Sequence, residues 1–328
     1  MKKVFAMGEL LIDFMGTKRD VSLSACDTFI KKAGGAPPNA LAALCKLGGE
    51  GYLASRVGND AFGDFLISEC KKNNIDTSMV IKDCQRFTTC AFVSLTSLGQ
   101  RDFIFQRGAD AYINYEELDI DLVRNCEIYH FGAATGLLDS VTYNTYMKVL
   151  DEAISSNKVI VFDPNFRQDF WKGDKDNSSI DNFISRCRYM ISKSHVVKVS
   201  EEEAKLISEE SSIEKAAEYF LNLGTEIVLV TCSDKGTYAK KEDYSELIPS
   251  IDVKCVDSTG AGDAFIGAFL YKMSSMDNIN DLFTNNRLLK EFVFFSNKAG
   301  AICCTRLGAM EGMPSKDEMG LDTFMVQY

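Results

Sequence analysis

Short apolar runs rich in Val and Ile recur along the chain: VFAMGELLIDF, GYLASRVG, EIYHFGA, VIVFDPN, RYMIS, VVKVS and EIVLVT. Between them lie segments with apolar residues at helical spacing, 61–73, 139–155, 201–209 and 213–223. A continuous apolar run has no solvated face, so it reads as a strand covered on both sides. Strands of that kind alternating with helices build a mostly parallel sheet. The pattern predicts an α/β fold of three layers, α/β/α. Asp60 ahead of AFGDFLISECKKNN and Ser200 ahead of EEEAKLI are predicted N-caps, with acids in the first turn meeting the positive end of the helix dipole.

Two segments break the alternation. FIKKAGG, and TTCAFVSLTSLGQRDFIFQR with a polar turn at Leu98–Gln100, read as β-hairpin material inserted into the α/β frame. They predict a small, discontinuous β lid from about 14–35 and 86–108 on a single domain spanning 1–328. No internal repeat and no low-complexity linker divides the chain, and its most polar stretch, KGDKDNSSID, reads as a surface loop.

Composition narrows the partners. A chain of 328 residues with 46% hydrophobic content can bury a large core, in one big domain or two ordinary ones. A net charge of -11 weighs against nucleic acid, whose backbone demands clustered Lys and Arg. No apolar run approaches the ~20 residues of a membrane span, and Glu9 and Asp13 interrupt the apolar N-terminal segment, so a cytoplasmic protein is expected. The 11 cysteines lie singly apart from Cys303 and Cys304, which fits reduced thiols. With His130 and His195 as the only histidines and no H-E-x-x-H, a zinc site is not expected.

The stretch VDSTGAGDAF, Val256–Phe265, places two glycines and an alanine directly ahead of an aspartate, and an apolar helical pattern starts at about Gly262. The backbone N–H groups from Gly260 to Asp263 then fall at a helix N-terminus, where partial positive charge attracts an anion. The glycines let phosphate oxygens approach the backbone. A glycine-rich turn that merely opens a helix is the plain reading, but at a site built for anions the Asp263 carboxylate is repelled by substrate phosphate. Its presence makes chemical sense if it accepts a proton in the reaction. There is no G-x-x-x-x-G-K-[ST], and Phe265 stands where the dinucleotide fingerprint needs its third glycine, which disfavours P-loop chemistry and NAD-dependent dehydrogenation.

STGAGDAF resembles the C-terminal signature of the pfkB (ribokinase-like) carbohydrate kinases, and AGGAPPNALAAL, Ala33–Leu44, resembles their N-terminal signature. The similarity runs from GELLIDF near the start to NKAGAICCTRLGA near the end, and GELLIDF, GGAPPN and DPNFR together look most like the fructokinase subfamily. The resemblance implies a ribokinase-like fold and in-line transfer of the ATP γ-phosphoryl group to a ketose hydroxyl, fructose first. Asp263 would be the general base, and Gly260, Ala261 and Gly262 the anion hole. It also implies sugar recognition by Asp13, Gly34, Gly35, Asn39, Arg107 and Arg167. Taken alone, Asp13 is a strand-end turn residue, Asn39 a cap for the helix ALAALCKL, and each arginine a solvated surface charge. Asp110, in RGADA, resembles a family position of uncertain role.

For the nucleotide, KVSEEE matches the segment where many relatives carry N-x-x-E, with Glu201 helping to hold Mg²⁺ through water and Lys198 in place of the common asparagine. Thr231, Ser233 and Gly236 resemble the T-x-G-x-x-G phosphate and ribose contact, with Ser233 replacing the first glycine. Asn297, in SNKAGA, matches a residue lining the adenine pocket and reads plainly as a polar position on a helix. Asp257 and Thr259, with the CCTRLG loop at Cys303–Gly308 facing them, fit the relatives' monovalent-cation site, which implies K⁺. Mg²⁺ accompanies ATP because the protein alone does not cover its charge. Lids of this family often pair into dimers, and the apolar alternation in TTCAFVSLTS is compatible with a homodimer. Two alternatives stand beside this reading. One is the same chemistry on 2-keto-3-deoxygluconate, a tagatose derivative or a nucleoside; the other is a non-catalytic sugar-binding regulator on the same scaffold.

Overall fold

A computed structural model describes residues 1–18, 20–95, 101–171 and 178–321. The elements follow one another as β1 (Lys3–Met7), β2 (Leu11–Gly16), β3 (Phe29–Gly34), α1 (Ala36–Lys46), β4 (Glu50–Gly58), α2 (Ala61–Lys72), β5 (Asp76–Asp83), β6 (Cys90–Leu95), β7 (Arg101–Gln106), α3 (Ile120–Arg124), β8 (Ile128–Gly132), α4 (Val141–Ser155) and β9 (Val159–Asp163). The second half runs α5 (Ser178–Ile191), β10 (Val196–Ser200), α6 (Glu201–Ser208), α7 (Ile213–Asn222), β11 (Ile227–Thr231), β12 (Thr237–Lys241), β13 (Tyr244–Ile248), α8 (Ala261–Ser274), α9 (Asn280–Thr284), α10 (Asn286–Cys303), α11 (Ala309–Gly312) and α12 (Lys316–Met319).

Among the described residues, the main sheet has 9 strands in the order β13-β12-β11-β10-β9-β8-β1-β4-β5. It is parallel except at one edge, where β12 and β13 pair antiparallel. Alternate side chains of β1 point to opposite faces. Val4 and Ala6 enter a core with Leu41, Ala264 and Phe269, from α1 and α8. Phe5 and Met7 enter a second core with Val149, Ile207 and Phe220, from α4, α6 and α7. Helices therefore cover both faces, and the three-layer expectation holds. The predicted caps also form: Asp60 accepts from Phe62 N at 3.0 Å and Gly63 N at 2.8 Å, and Ser200 and Glu203 make a capping box at the start of α6.

The smaller second sheet has the order β3-β2-β6-β7. β2 lies antiparallel to β3, with Asp13 opposite Lys32, and parallel to β6. The run VFAMGELLIDF is consequently two strands in two sheets. The break falls at Gly8, whose φ of +149° few side-chain-bearing residues adopt and whose added Cβ would lie 2.8 Å from Pro37 Cγ. RYMIS is not a strand: Arg188–Ile191 closes α5, where Phe183, Cys187, Met190 and Ile191 share a buried helical stripe. β5, β12 and β13 escape the apolar-run pattern because TSMVIKD, TYAKK and YSELI interleave charges, as strands at or beside a sheet edge do. The turn at Leu98–Gln100 and residues 172–177 of KGDKDNSSID lie outside the described residues, while Ser178–Asp181 form the first turn of α5 rather than a loop. All 11 cysteines are free thiols. Among the described residues no helix is long and apolar enough to cross a membrane.

Candidate active site

The C-terminal ends of the parallel strands set the site. Gly132 pairs with Asp163 and Ser200 with Thr231, so β9, β10 and β11 deliver Asp163, Ser200 and Thr231 to one edge of the sheet, where ligands of open α/β folds collect. Facing that edge is the N-terminus of α8. Gly260 is its N-cap at φ +82°, and an added Cβ would lie 2.7 Å from Ala309 Cβ, so both conformation and space demand glycine here. The helix begins at Ala261, one residue ahead of the predicted start; Ala261 N donates to the Ser258 carbonyl at 3.2 Å, while the Gly262 and Asp263 N–H groups have no backbone partner among the described residues.

Asp263 lies in that first turn and is 7% exposed. Asn39 does not cap α1, which starts at Ala36 behind Gly35; it sits one turn inside the helix. Its Nδ2 donates to Asp263 Oδ2 at 2.8 Å, and Asn165 Nδ2 donates to Oδ1 at 3.4 Å. Asn39 Oδ1 is buried and has no hydrogen-bond partner among the described residues, an unused acceptor beside the carboxylate. Burial pushes the Asp263 carboxyl up to about 7, against the opposing pull of the Asn39 hydrogen bond and the Arg167 and Lys198 charges. A carboxyl poised there is matched to proton transfer near neutral pH.

Lys198, on β10, sends its Nζ to Asp163 Oδ2 at 2.8 Å, and both groups are buried. The ammonium also flanks the turn that opens α8: a Cβ on Gly262 would lie 2.9 Å from Lys198 Nζ. Burial presses the Lys198 pKa down, but the Asp163 and Glu203 carboxylates more than compensate and hold it above its usual value. Arg167 is exposed, lines the cavity, and has no ion-pair partner among the described residues.

A cavity of about 840 Å³ opens from Asp263 toward α10. It is lined by Thr231, Ser233 and Gly236 on one side and by Asn297, Gly300 and Cys304 on another, with Gly260, Ala261 and Gly262 at its floor. Ser233 adopts φ +53°, the left-handed region in which a glycine is easier, so the replaced glycine keeps its backbone shape. Asn297 accepts from Thr237 Oγ1 at 2.6 Å and donates to the Ile248 carbonyl at 3.0 Å; it lines the cavity while tying α10 to the antiparallel edge. Glu201 is not in the lining, and its carboxylate pairs with Lys205 one turn on. Lys198, Ser200, Glu202 and Glu203 are in the lining.

Asp257 and Thr259 meet the loop after α10 as expected. Asp257 accepts from Thr259 N at 2.9 Å, from Thr259 Oγ1 at 2.7 Å and from Gly308 N at 3.0 Å. Of the residues expected on the sugar side, Arg167 is in the cavity lining, while Asp13, Gly34, Gly35, Asn39 and Arg107 lie outside it. Asp13 packs against Gly34, where a Cβ would come within 2.1 Å of Asp13 Oδ2, and Gly34 leads through Gly35 into the helix that carries Asn39. Arg107 is no solvated charge. It pairs with fully buried Asp110 at 3.2 Å and donates to the Thr135 carbonyl at 3.0 Å, while Thr135 Oγ1 donates to Glu9 Oε2 at 2.9 Å. Glu9 Oε1 in turn accepts from Ala36 N at 3.0 Å, linking the end of β7 to the start of α1.

Sequence reasoning missed Asp163, Asn165, Glu203 and Glu9. The signal was present for the first two, since DPN follows a strand that ends at the ligand edge. Glu203 was hidden in a run of three acids that all read as first-turn residues, and Glu9 stood in a stretch read as strand.

Residues 1–316 match the pfkB family carbohydrate kinase description. The chain is 33% identical over 315 residues to fructokinase-2 of Oryza sativa subsp. japonica, covering 95% of this chain and 91% of that protein. Among solved structures it is similar to a fructokinase from Xylella fastidiosa with bound ATP (TM-score 0.87, 26% identity, 97% and 96% of the two chains). It is also similar to a sugar kinase from Pyrococcus horikoshii in complex with ATP (TM-score 0.79, 29% identity, 96% of each chain). The fold is thus ribokinase-like.

Proposed function

Since this chain belongs to the pfkB family of carbohydrate kinases, we propose that it is a fructokinase in which Asp263 takes the proton from the sugar hydroxyl that attacks the ATP γ-phosphorus. The observation that carries this reading is the buried Asp263 carboxylate at the mouth of α8, held by Asn39 beside an unused acceptor, Asn39 Oδ1. As the new O–P bond forms, the hydroxyl proton passes to Asp263 and the bond to the β-phosphate oxygen breaks, releasing ADP. Charge on the moving phosphoryl group falls on the N–H groups of Gly260, Ala261, Gly262 and Asp263, with Lys198 and Arg167 adding positive potential. Asn39 Oδ1 accepts from a second hydroxyl and fixes the sugar against the base; Asp13, with Gly34 and Gly35 making room, binds further hydroxyls.

The cavity between Thr231 and Asn297 accommodates the nucleotide; the Xylella fastidiosa and Pyrococcus horikoshii relatives hold ATP. Mg²⁺ neutralises the phosphates when it is bound with ATP. Glu202 and Glu203, both in the lining, fit a hard cation that keeps most of its waters. The Asp257–Thr259–Gly308 junction fits a K⁺ site built largely of carbonyl oxygens. Arg107 acts through position, holding the end of β7 to Thr135. The second sheet serves as a lid over the sugar, and exposed Ile30 and Ile104 on it fit a homodimer contact in a cytoplasmic enzyme.

The test is a coupled ADP-release assay with Mg²⁺, with and without K⁺, across ketoses, aldoses, keto acids and nucleosides. Fructose should give the highest kcat/KM. A higher value for a keto acid or nucleoside would replace fructose as the substrate, and no ADP release with any acceptor would overturn the catalytic reading.

A further inference from the structure

Cys255 lies in the connection between β13 and α8 and is exposed; Cys304 is the half-buried C-cap of α10. Both line the nucleotide-sized cavity. The N–H groups of Val256 and Asp257 donate to the Cys304 carbonyl at 2.8 and 3.2 Å, so the loop is clipped to the helix end beside both cysteines. Burial, with the neighbouring Cys255 thiol, pushes the Cys304 thiol up to about 11. Seven other cysteines are buried, and neither Cys26 nor Cys84 lines this cavity. Phosphoryl transfer as derived above uses neither thiol.

We propose that Cys255 and Cys304 are a redox modification site, whose disulfide closes part of the cavity against the nucleotide. The oxidant is a small-molecule disulfide such as glutathione disulfide. The exposed Cys255, as thiolate, attacks one sulfur of the oxidant and expels the first thiolate. Cys304, giving its proton to solvent, then attacks Cys255 Sγ in the mixed disulfide and expels the second. The protein thiols thereby lose two electrons and two protons, and the oxidant leaves as two thiols.

Closing the bond adds a covalent link beside the backbone bonds of Val256 and Asp257 to the Cys304 carbonyl and fixes the loop against the end of α10. Ser250, Asp252 and Ser258 of that loop and Ala301 of α10 are walls of the same cavity, so the volume between them contracts. The pair stays open where glutathione is mostly reduced and closes as the poise turns oxidising. The gating effect rests on reading the cavity as the ATP site.

The experiment equilibrates the full-length protein in glutathione buffers of graded ratio, maps linked peptides by mass spectrometry, and measures ATP affinity by calorimetry. The expected result is a Cys255–Cys304 linked peptide and an ATP Kd raised at least ~10-fold, reversed by dithiothreitol. Cys255→Ser and Cys304→Ser, each compared with its own reduced form, should show neither link nor response. Absence of the linked peptide, or a linked protein with unchanged ATP affinity, overturns the proposal while leaving the kinase reading intact. Failure of the reduced wild-type protein to bind ATP overturns both.

Discussion

Asn39 on α1 and Asp263 on α8 are joined by a 2.8 Å hydrogen bond from Nδ2 to Oδ2. The two residues come from the N-terminal and C-terminal signatures, and α1 packs against α8 where Gly267 lets the helices approach: a Cβ there would lie 2.3 Å from the Ala40 carbonyl oxygen. Helix packing thus delivers the Asn39 amide to the Asp263 carboxyl. That bond favours the charged carboxylate and holds its pKa down.

Removing the amide should shift the base upward. In Asn39→Ala the acid limb of the kcat/KM profile moves to higher pH and the sugar KM rises, while the ATP KM changes little. An acid limb that stays in place, measured by steady-state assays across pH 5–9, separates Asn39 from the base.

The raised pKa of Asp263 also predicts a pH-dependent stability. Its carboxyl titrates near 3.8 in the unfolded chain and at about 7 when folded, so between these values the folded state holds the extra proton and stability falls as pH rises. Asp263→Asn lacks this loss. Its stability relative to wild type should grow from pH 4 to pH 8 by on the order of a few kcal/mol, read by urea denaturation; a constant difference contradicts the assigned shift.

Gly262→Ala separates the anion site from the fold. The added methyl meets only the end of the Lys198 side chain, 2.9 Å from the Nζ that Asp163 holds, so the protein should fold with a modest fall in Tm as that end shifts. Yet the methyl stands where phosphate oxygens approach the N–H groups, and kcat should fall by ~10²-fold or more. Near-normal turnover would remove the turn from phosphoryl stabilisation.

Much of this arrangement was legible because local physics dictated it. The GAGD turn announced the start of α8, and Asp60 and Ser200 announced helix starts that formed as read. What stayed hidden depended on long-range placement. RYMIS looks like a strand until Phe183 and Cys187 supply the rest of its helical stripe. Arg107 looks like a surface charge until Asp110 and Thr135 surround it. Glu201 and Glu203 are equivalent as first-turn acids, and only the direction of α6 turns one toward Lys205 and the other toward the cavity.

The Lys198–Asp163 pair should show a split between stability and catalysis. Lys198→Met leaves a buried Asp163 carboxylate without its cation and should cost about 3–5 kcal/mol. Adding Asp163→Asn should recover most of that loss, but turnover should stay low because the positive charge beside Gly262 is gone. Restored turnover in the double variant would make Lys198 purely structural.

The most direct test of the central claim is single-turnover phosphoryl transfer by Asp263→Asn, with sugar and ATP affinities measured on the same protein. Unchanged affinities with a transfer rate lowered by at least ~10²-fold are the expected result. Transfer at the wild-type rate would show that another group takes the hydroxyl proton.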